Sequence, residues 1–319
     1  MPNPRLPKDP RDQTGMGKVR AGANRKLKAA LNRVAAKIYR YTLQIEPLSS
    51  ATNSATNASV YSYDMDPYRL ATFSNWIQSV LYLELLGSES GMWTQDWFLN
   101  GYLGDAYESG TDTQLDAAQR LADPKVIGTE LSSTMRALQI ATIVADPGFQ
   151  QRLRNVYGRV FNGMTGISDT IKAILAGDLA QGMAKRKSPR WIARQLRDKT
   201  NQQYWRLLRI SRTEINRAYT DASLDEQQEL NRSVYGRSKY EMRTMHLSAL
   251  AENTRSWHAF RHGWVGTATE QQEWWNKDGN RINCQCGTTD VLVNKKTGAI
   301  VNADFVDEVR AQRSIYFGR

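Results

Sequence analysis

Apolar residues recur along most of this chain at three- and four-residue spacing, the pattern of helices with one buried face. Leu27, Leu31, Val34 and Ile38 carry it through a first helix from Lys18 to Leu43, with Pro47 beyond its end. Asp66-Pro67 opens a second as an N-cap followed by a first-turn proline. Its apolar face is Leu70, Phe73, Trp76, Ile77, Val80, Leu81 and Leu85, up to Gly87. Residues 93–110 read as a third helix, 124–144 as a fourth opened by Asp123-Pro124, and Phe149 to about Gly163 as a fifth. Ser168 begins another, striped by Ile171, Ile174, Leu175 and Leu179 and ended at Gly182. Ser188-Pro189 pairs a capping hydroxyl with a proline at the first helical position. From there Trp191, Ile192 and Leu196, then Tyr204, Leu207, Leu208 and Ile210, extend the pattern to about Leu230. Aromatics at this spacing read as core.

The period changes after Gly236. Tyr240, Met242, Thr244 and His246 alternate along a strand within 239–249, and Thr254 is placed to cap a short helix reaching Phe260 or Arg261. Residues 281–292 and 299–305 have strand-like composition around a turn at 294–298, and the chain ends in a basic tail. The expected architecture is α+β and mostly helical: a helical N-terminal domain and a small C-terminal α+β module, preceded by an extended basic arm. The expected divisions are 1–59 (basic arm, helix and flexible linker), 60–181 (helical domain), 182–235 (arginine-rich helices) and 236–319 (α+β module with basic tail). Residues 1–16 are rich in Pro, Gly and charge, and SSATNSATNAS at 49–59 is a polar stretch of small residues. Arm and first helix therefore read as a detachable appendage on a flexible link.

Composition sharpens this picture at four points. A length of 319 residues suits two domains. No apolar run reaches the length of a membrane span, and the N-terminus lacks the apolar core of a secretory signal, so the expected location is the cytoplasm. Two cysteines separated by one residue do not make a disulfide framework, which fits a reducing compartment. The net charge of +11 is segregated: residues 1–40 hold eleven Lys/Arg against two Asp, 41–150 four against thirteen acids, and 182–217 eleven against two. Arg194, Arg197, Arg206, Arg209, Arg212 and Arg217 line the later helices. Guanidinium groups there suit the phosphates of DNA, and equally suit ion pairs with the acidic region.

Candidate chemistry is concentrated in residues 245–293, which contain all three histidines, both cysteines and four of the nine tryptophans. His258 and His262 are four apart, so a helix puts both imidazoles on one face; Cys284 and Cys286 are two apart, so a strand puts both thiols on one side. Two nitrogens and two sulfurs form an acceptable tetrahedral zinc set. The alternative is a pair of cysteines buried as small apolar groups, with His258 hydrogen-bonded to a neighbour such as Glu252. Either way His258 should lie near Cys284 and Cys286. A metal-dependent nuclease would use His258 and His262 as ligands with Glu252 or Glu273 as base. The window lacks the paired carboxylates of two-metal nucleases, and the chain has no H-E-x-x-H motif, nucleophile elbow or phosphate-binding glycine loop. The expectation is a protein that is not an enzyme.

Four elements in order resemble the phage Mu F-like minor head proteins, the head morphogenesis family of tailed bacteriophages. Gly182 follows a helix; SRTEINRAY supplies Arg212, Thr213, Glu214 and Ala218; TRSWHAFRHG supplies Arg255, His258 and Gly263; INCQC supplies Asn283, Cys284 and Cys286. The likeness covers about residues 90–293. Gln285 stands where that family usually has Arg, and Ala251-Glu252 where an acid-rich turn is usual. The resemblance implies a virion protein inside the capsid near the portal vertex, present in the host cytoplasm during assembly. Its partners would be the portal protein and capsid or scaffold proteins, with contact to packaged or ejecting double-stranded DNA and none to a membrane. A DNA-binding protein outside any virion is the alternative.

Overall fold

The computed structural model describes residues 3–54, 58–64, 66–121 and 133–318. The protein is mostly helical α+β, as the pattern predicts. Its longer helices are α1 (Gly17–Leu43), α2 (Pro67–Leu81), α3 (Phe98–Leu121), α4 (Ser133–Ala145), α5 (Pro147–Ala184), α6 (Pro189–Gln202) and α7 (Tyr204–Ser233). Beyond these come α8 (Ser256–Phe260), α9 (Ala268–Asn276) and α10 (Ala303–Phe317). The strands are β1 (Ser49–Asn53), β2 (Ala58–Ser62), β3 (Tyr240–Leu247), β4 (Val265–Gly266) and β5 (Gly287–Asn294). Two compact units emerge, one from residues 1–21, 101–156 and 212–319, the other from 22–100 and 157–211. They interleave along the chain and so do not follow the contiguous divisions at 59, 181 and 235.

In the unit built from 22–100 and 157–211, Leu27, Leu31, Val34 and Ile38 of α1 are all buried. The first helix is thus part of a core, because its apolar stripe has a partner surface, and it is not a detachable appendage. The expected linker at 49–59 is an antiparallel hairpin, β1 on β2, paired from Ser49↔Ser62 to Asn53↔Ala58. Its side chains on β1 are exposed, so backbone pairing makes this ribbon and hydrophobic alternation does not announce it. Asp66 caps α2 by accepting from Tyr68 N at 3.1 Å, and Ser188 caps α6 by accepting from Trp191 N at 3.2 Å. Trp97 donates its Nε1–H to Leu85 O at 2.9 Å and meets Phe161 edge-on at 5.3 Å. Helix α5 runs unbroken for 38 residues where two helices were expected. Gly163 and Gly166 sit inside it at a cost of about 1 kcal/mol each, which the buried stripe of Val160, Met164, Ile171, Leu175 and Leu179 outweighs.

In the other unit a three-stranded sheet of order β4-β3-β5 is antiparallel throughout. One face packs Met242 and Leu292 against Leu115, Ala118 and Leu121 of α3 and Leu230 of α7. The opposite face packs Met245, Leu247, Val291 and Val293 against Phe305, Val306 and Val309. Those last three lie on α10, so the strand expected at 299–305 gives way to helix from Ala303, and the basic tail belongs to that helix, which covers the sheet. Only Ile300 retains a bridge, to Val293. The fourth expected helix is seen as α4, while its opening at Asp123-Pro124 lies outside the described residues. The arm is docked on this unit through polar contacts. Gln13 Nε2 donates to Ser248 O at 3.2 Å, Thr14 Oγ1 to Asn216 Oδ1 at 3.3 Å, and Arg20 pairs with Asp12 at 3.0 Å.

Candidate metal centre

The hairpin-like return from β3 through α8 to β5 brings the cluster together. In the β3–β5 register Leu247 faces Gly287 and His246 faces Thr288, which sets His246 beside the turn carrying the cysteines. His258 comes from α8 and is buried. Its Nδ1 lies 3.4 Å from Cys286 Sγ and 3.5 Å from Cys284 Sγ, the proximity that the sequence requires. Cys286 N donates to Cys284 Sγ at 3.3 Å, and both thiols are free and buried. The Cys286 thiol hydrogen-bonded to Cys284 pushes the Cys284 thiol well below its usual range against the opposing effect of burial, with His258 adding to the downward shift.

His262, the expected fourth ligand, is elsewhere. Its Nδ1 accepts from Ser248 N at 2.9 Å and its Nε2 lies 3.2 Å from Gln312 Oε1, so both ring nitrogens hold other elements in place. The reason is helix length: α8 ends at Phe260, so the four-residue spacing from His258 is not continued on one helical face. His246 stands beside His258 and Cys286 instead. Among the described residues, His246, His258 and Cys286 form a group whose ligand atoms lie within 4.8 Å of one another, and this group could hold a metal ion. His246 is fully enclosed; Gln271 Nε2 is 3.0 Å from its Nδ1, and its Nε2 has no hydrogen-bond partner. Burial pushes its imidazole well below the usual histidine range. The rings of His246 and His258 both meet Trp274 edge-on, at 5.0 and 4.8 Å. The strand alternation around His246 was legible, but its register against β5 was not.

The other motif residues converge on the same place. Arg212 NH1 donates to Asn283 Oδ1 at 2.9 Å, and Asn283 N donates to Thr213 Oγ1 at 2.9 Å. Asn216, on the next turn of α7, donates to Cys284 O at 2.7 Å. Arg255 reaches Asn280 O at 3.2 Å, Ile282 O, and His258 Nε2 at 3.2 Å. Gly263 sits at φ +75°, and a Cβ there would lie 2.6 Å from Arg310 Cγ. Its N–H donates to His246 O at 2.8 Å, returning the chain to β3. Glu214 is half-buried on α7, and Ala218 is fully buried. In the separate unit Gly182 brings α5 close to α6, since a Cβ would lie 2.8 Å from Ile192 Cγ1.

The six arginines expected as one DNA-facing row divide between the units. Arg212 is bound to Asn283, and Arg217 pairs with Asp221 at 3.3 Å, so these two are committed to the fold of their own unit. Arg281 joins that pair, 2.6 Å from Asp221 and over the Trp275 ring at 5.0 Å. In the other unit Arg197 pairs with Asp198 and lies over Tyr39, Arg206 is half-buried, and Arg194 and Arg209 are exposed. No described helix is long and apolar enough to cross a membrane. Comparison of the chain with family models, with curated proteins and with solved structures gives no match, so the motifs and their geometry carry the functional reading.

Proposed function

We propose that this chain is a minor head protein of a tailed bacteriophage, needed for head morphogenesis and located inside the capsid near the portal vertex. What supports this reading is one observation: sequence elements 20 to 70 residues apart that resemble the Mu F-like pattern form a single hydrogen-bonded network. Arg212 and Thr213 hold Asn283, Arg255 holds the 280–282 carbonyls, and His258 holds both cysteines. Its partners in this reading are the portal and capsid or scaffold proteins. Packaged or ejecting double-stranded DNA is contacted by the exposed guanidinium groups of Arg194 and Arg209. Zinc is the cofactor proposed for the cluster. The role is structural: His246, His258 and Cys286 are all buried, the two histidine rings meet Trp274 edge-on, and the ligand set joins separate elements of the fold. Mass spectrometry of purified, DNA-filled particles from the phage encoding this chain tests the reading. The expected result is the chain in a fixed ratio to the portal; infectious particles lacking it would contradict a role in the head.

A further inference from the structure

We propose that a single zinc ion binds His246 Nε2, His258 Nδ1, Cys284 Sγ and Cys286 Sγ, and so clamps β3, α8 and the turn before β5 together. This deepens the zinc part of the proposed function and stands independently of the head-protein part. Four observations carry it. The donor set is two imidazoles and two thiols, which suits zinc and not the oxygen-seeking magnesium or calcium. Ligand atoms of a tetrahedral zinc with bonds of 2.0–2.3 Å lie about 3.3–3.8 Å apart. His258 Nδ1 already stands 3.4 and 3.5 Å from the two sulfurs. His246, whose Nε2 is a fully buried polar atom with no partner, forms with His258 and Cys286 a group of ligand atoms within 4.8 Å of one another, and Cys284 Sγ adjoins that group at His258 Nδ1. A buried polar group left unpaired is costly, and a metal bond removes that cost.

The surroundings match a structural site. Gln271 Nε2 stands 3.0 Å from His246 Nδ1 while its Oε1 accepts from Arg261 Nε at 3.4 Å; a flip of the amide gives up that long bond and lets the oxygen accept the proton that Nδ1 carries when Nε2 ligates. The Cys286 N–H supports Cys284 Sγ. Ligation through His258 Nδ1 leaves that ring's proton on Nε2. Arg255 NH1 then turns fully to Asn280 O, which it already reaches at 3.2 Å. Trp275, with the partly buried Trp274, packs beside the cysteines and gives the site an apolar wall. His262, with both nitrogens engaged, is not a ligand.

Elemental analysis of the full chain, purified without chelator, tests the proposal, with cobalt(II) substitution reporting thiolate ligation through its charge-transfer absorption. The expected content is one zinc per chain. It should be lost in His246→Asn and Cys286→Ser and retained in His262→Asn. Gln271→Leu should weaken zinc affinity about 10- to 100-fold, with Gln271→Glu restoring it. Circular dichroism identifies any variant that fails to fold, and metal exchange into the wild-type chain then decides by cobalt spectrum alone. A wild-type chain that neither carries nor takes up zinc overturns the site. Full zinc content in folded His246→Asn, or its loss in folded His262→Asn, overturns the ligand set. None of these results depends on whether the chain enters a phage head.

Discussion

Asp290, midway along β5, should make this protein less stable as pH rises from about 4 to 7, and Asp290→Asn should remove that dependence. Its carboxyl is enclosed between Gln227 of α7 and the sheet, where Gln227 Nε2 donates to Oδ1 and Thr244 Oγ1 holds the other end of Gln227 at 3.0 Å. Burial drives its pKa up to about 7, with the hydrogen bonds from Gln227 and Gln114 opposing. An unfolded aspartate titrates near 3.9. The folded state therefore holds its proton where the unfolded state has released it. The protonated form's contribution is complete below about pH 4 and is lost progressively until pH reaches the folded value. Three pH units at about 1.4 kcal/mol each give roughly 4 kcal/mol across the window. Asparagine keeps an acceptor and supplies a donor, as the protonated acid does, and has nothing to ionise. Urea unfolding of both chains at pH 4, 5, 6, 7 and 8 measures the effect, and the difference between them cancels every other titrating group. The variant should match the wild type at pH 4 within about 1 kcal/mol and exceed it by up to about 4 kcal/mol at pH 8. A difference that does not change with pH would refute the reasoning.

Two further perturbations test other parts of the fold. A Cβ on Gly287 would stand 2.7 Å from Gln13 O and 3.0 Å from Gln13 Cβ, so Gly287→Ala should lift the arm from its unit. Hydrogen exchange should then show faster exchange across residues 11–16, at a cost of about 1–3 kcal/mol for overpacking; unchanged protection would mean that the arm does not lie there. Asp221→Ala strips Arg281 and Arg217 of their shared carboxylate. Because Arg281 is only 9 % exposed, the loss should cost about 3 kcal/mol by urea unfolding, whereas a change under about 0.5 kcal/mol would place that pair in solvent.

Helix positions were the most legible feature, because a buried face repeats its apolar residues wherever the helix packs. Ser188 and Asp66 cap the helices they were expected to open, and the strand face of Met242, Thr244 and His246 is present. What stayed hidden depends on contacts distant in sequence or made by polar atoms. Ser49–Asn53 pairs through its backbone with exposed side chains, so its composition resembles a linker. The arm docks through Gln13 and Thr14, and no hydrophobic pattern signals such contacts. Phe305, Val306 and Val309 suit strand and helix alike in so short a run, and the sheet face they cover decided for helix. At the candidate site, local spacing linked His258 to the cysteines correctly. It favoured His262 over His246 because a four-residue interval is visible in sequence and the β3–β5 register is not.

The claim on which the rest depends is that the separated motifs act as one module, and the link between Arg212 on α7 and Asn283 before β5 is its most direct expression. A double-mutant cycle measures it, with Arg212→Met removing the guanidinium and Asn283→Gly removing the amide while accepting the φ of +55° at that position. A charge-assisted hydrogen bond at a half-exposed site predicts a coupling of about 1 kcal/mol in urea unfolding. Additivity within about 0.3 kcal/mol would contradict it, leaving the motifs as neighbours in a list and not partners in a structure.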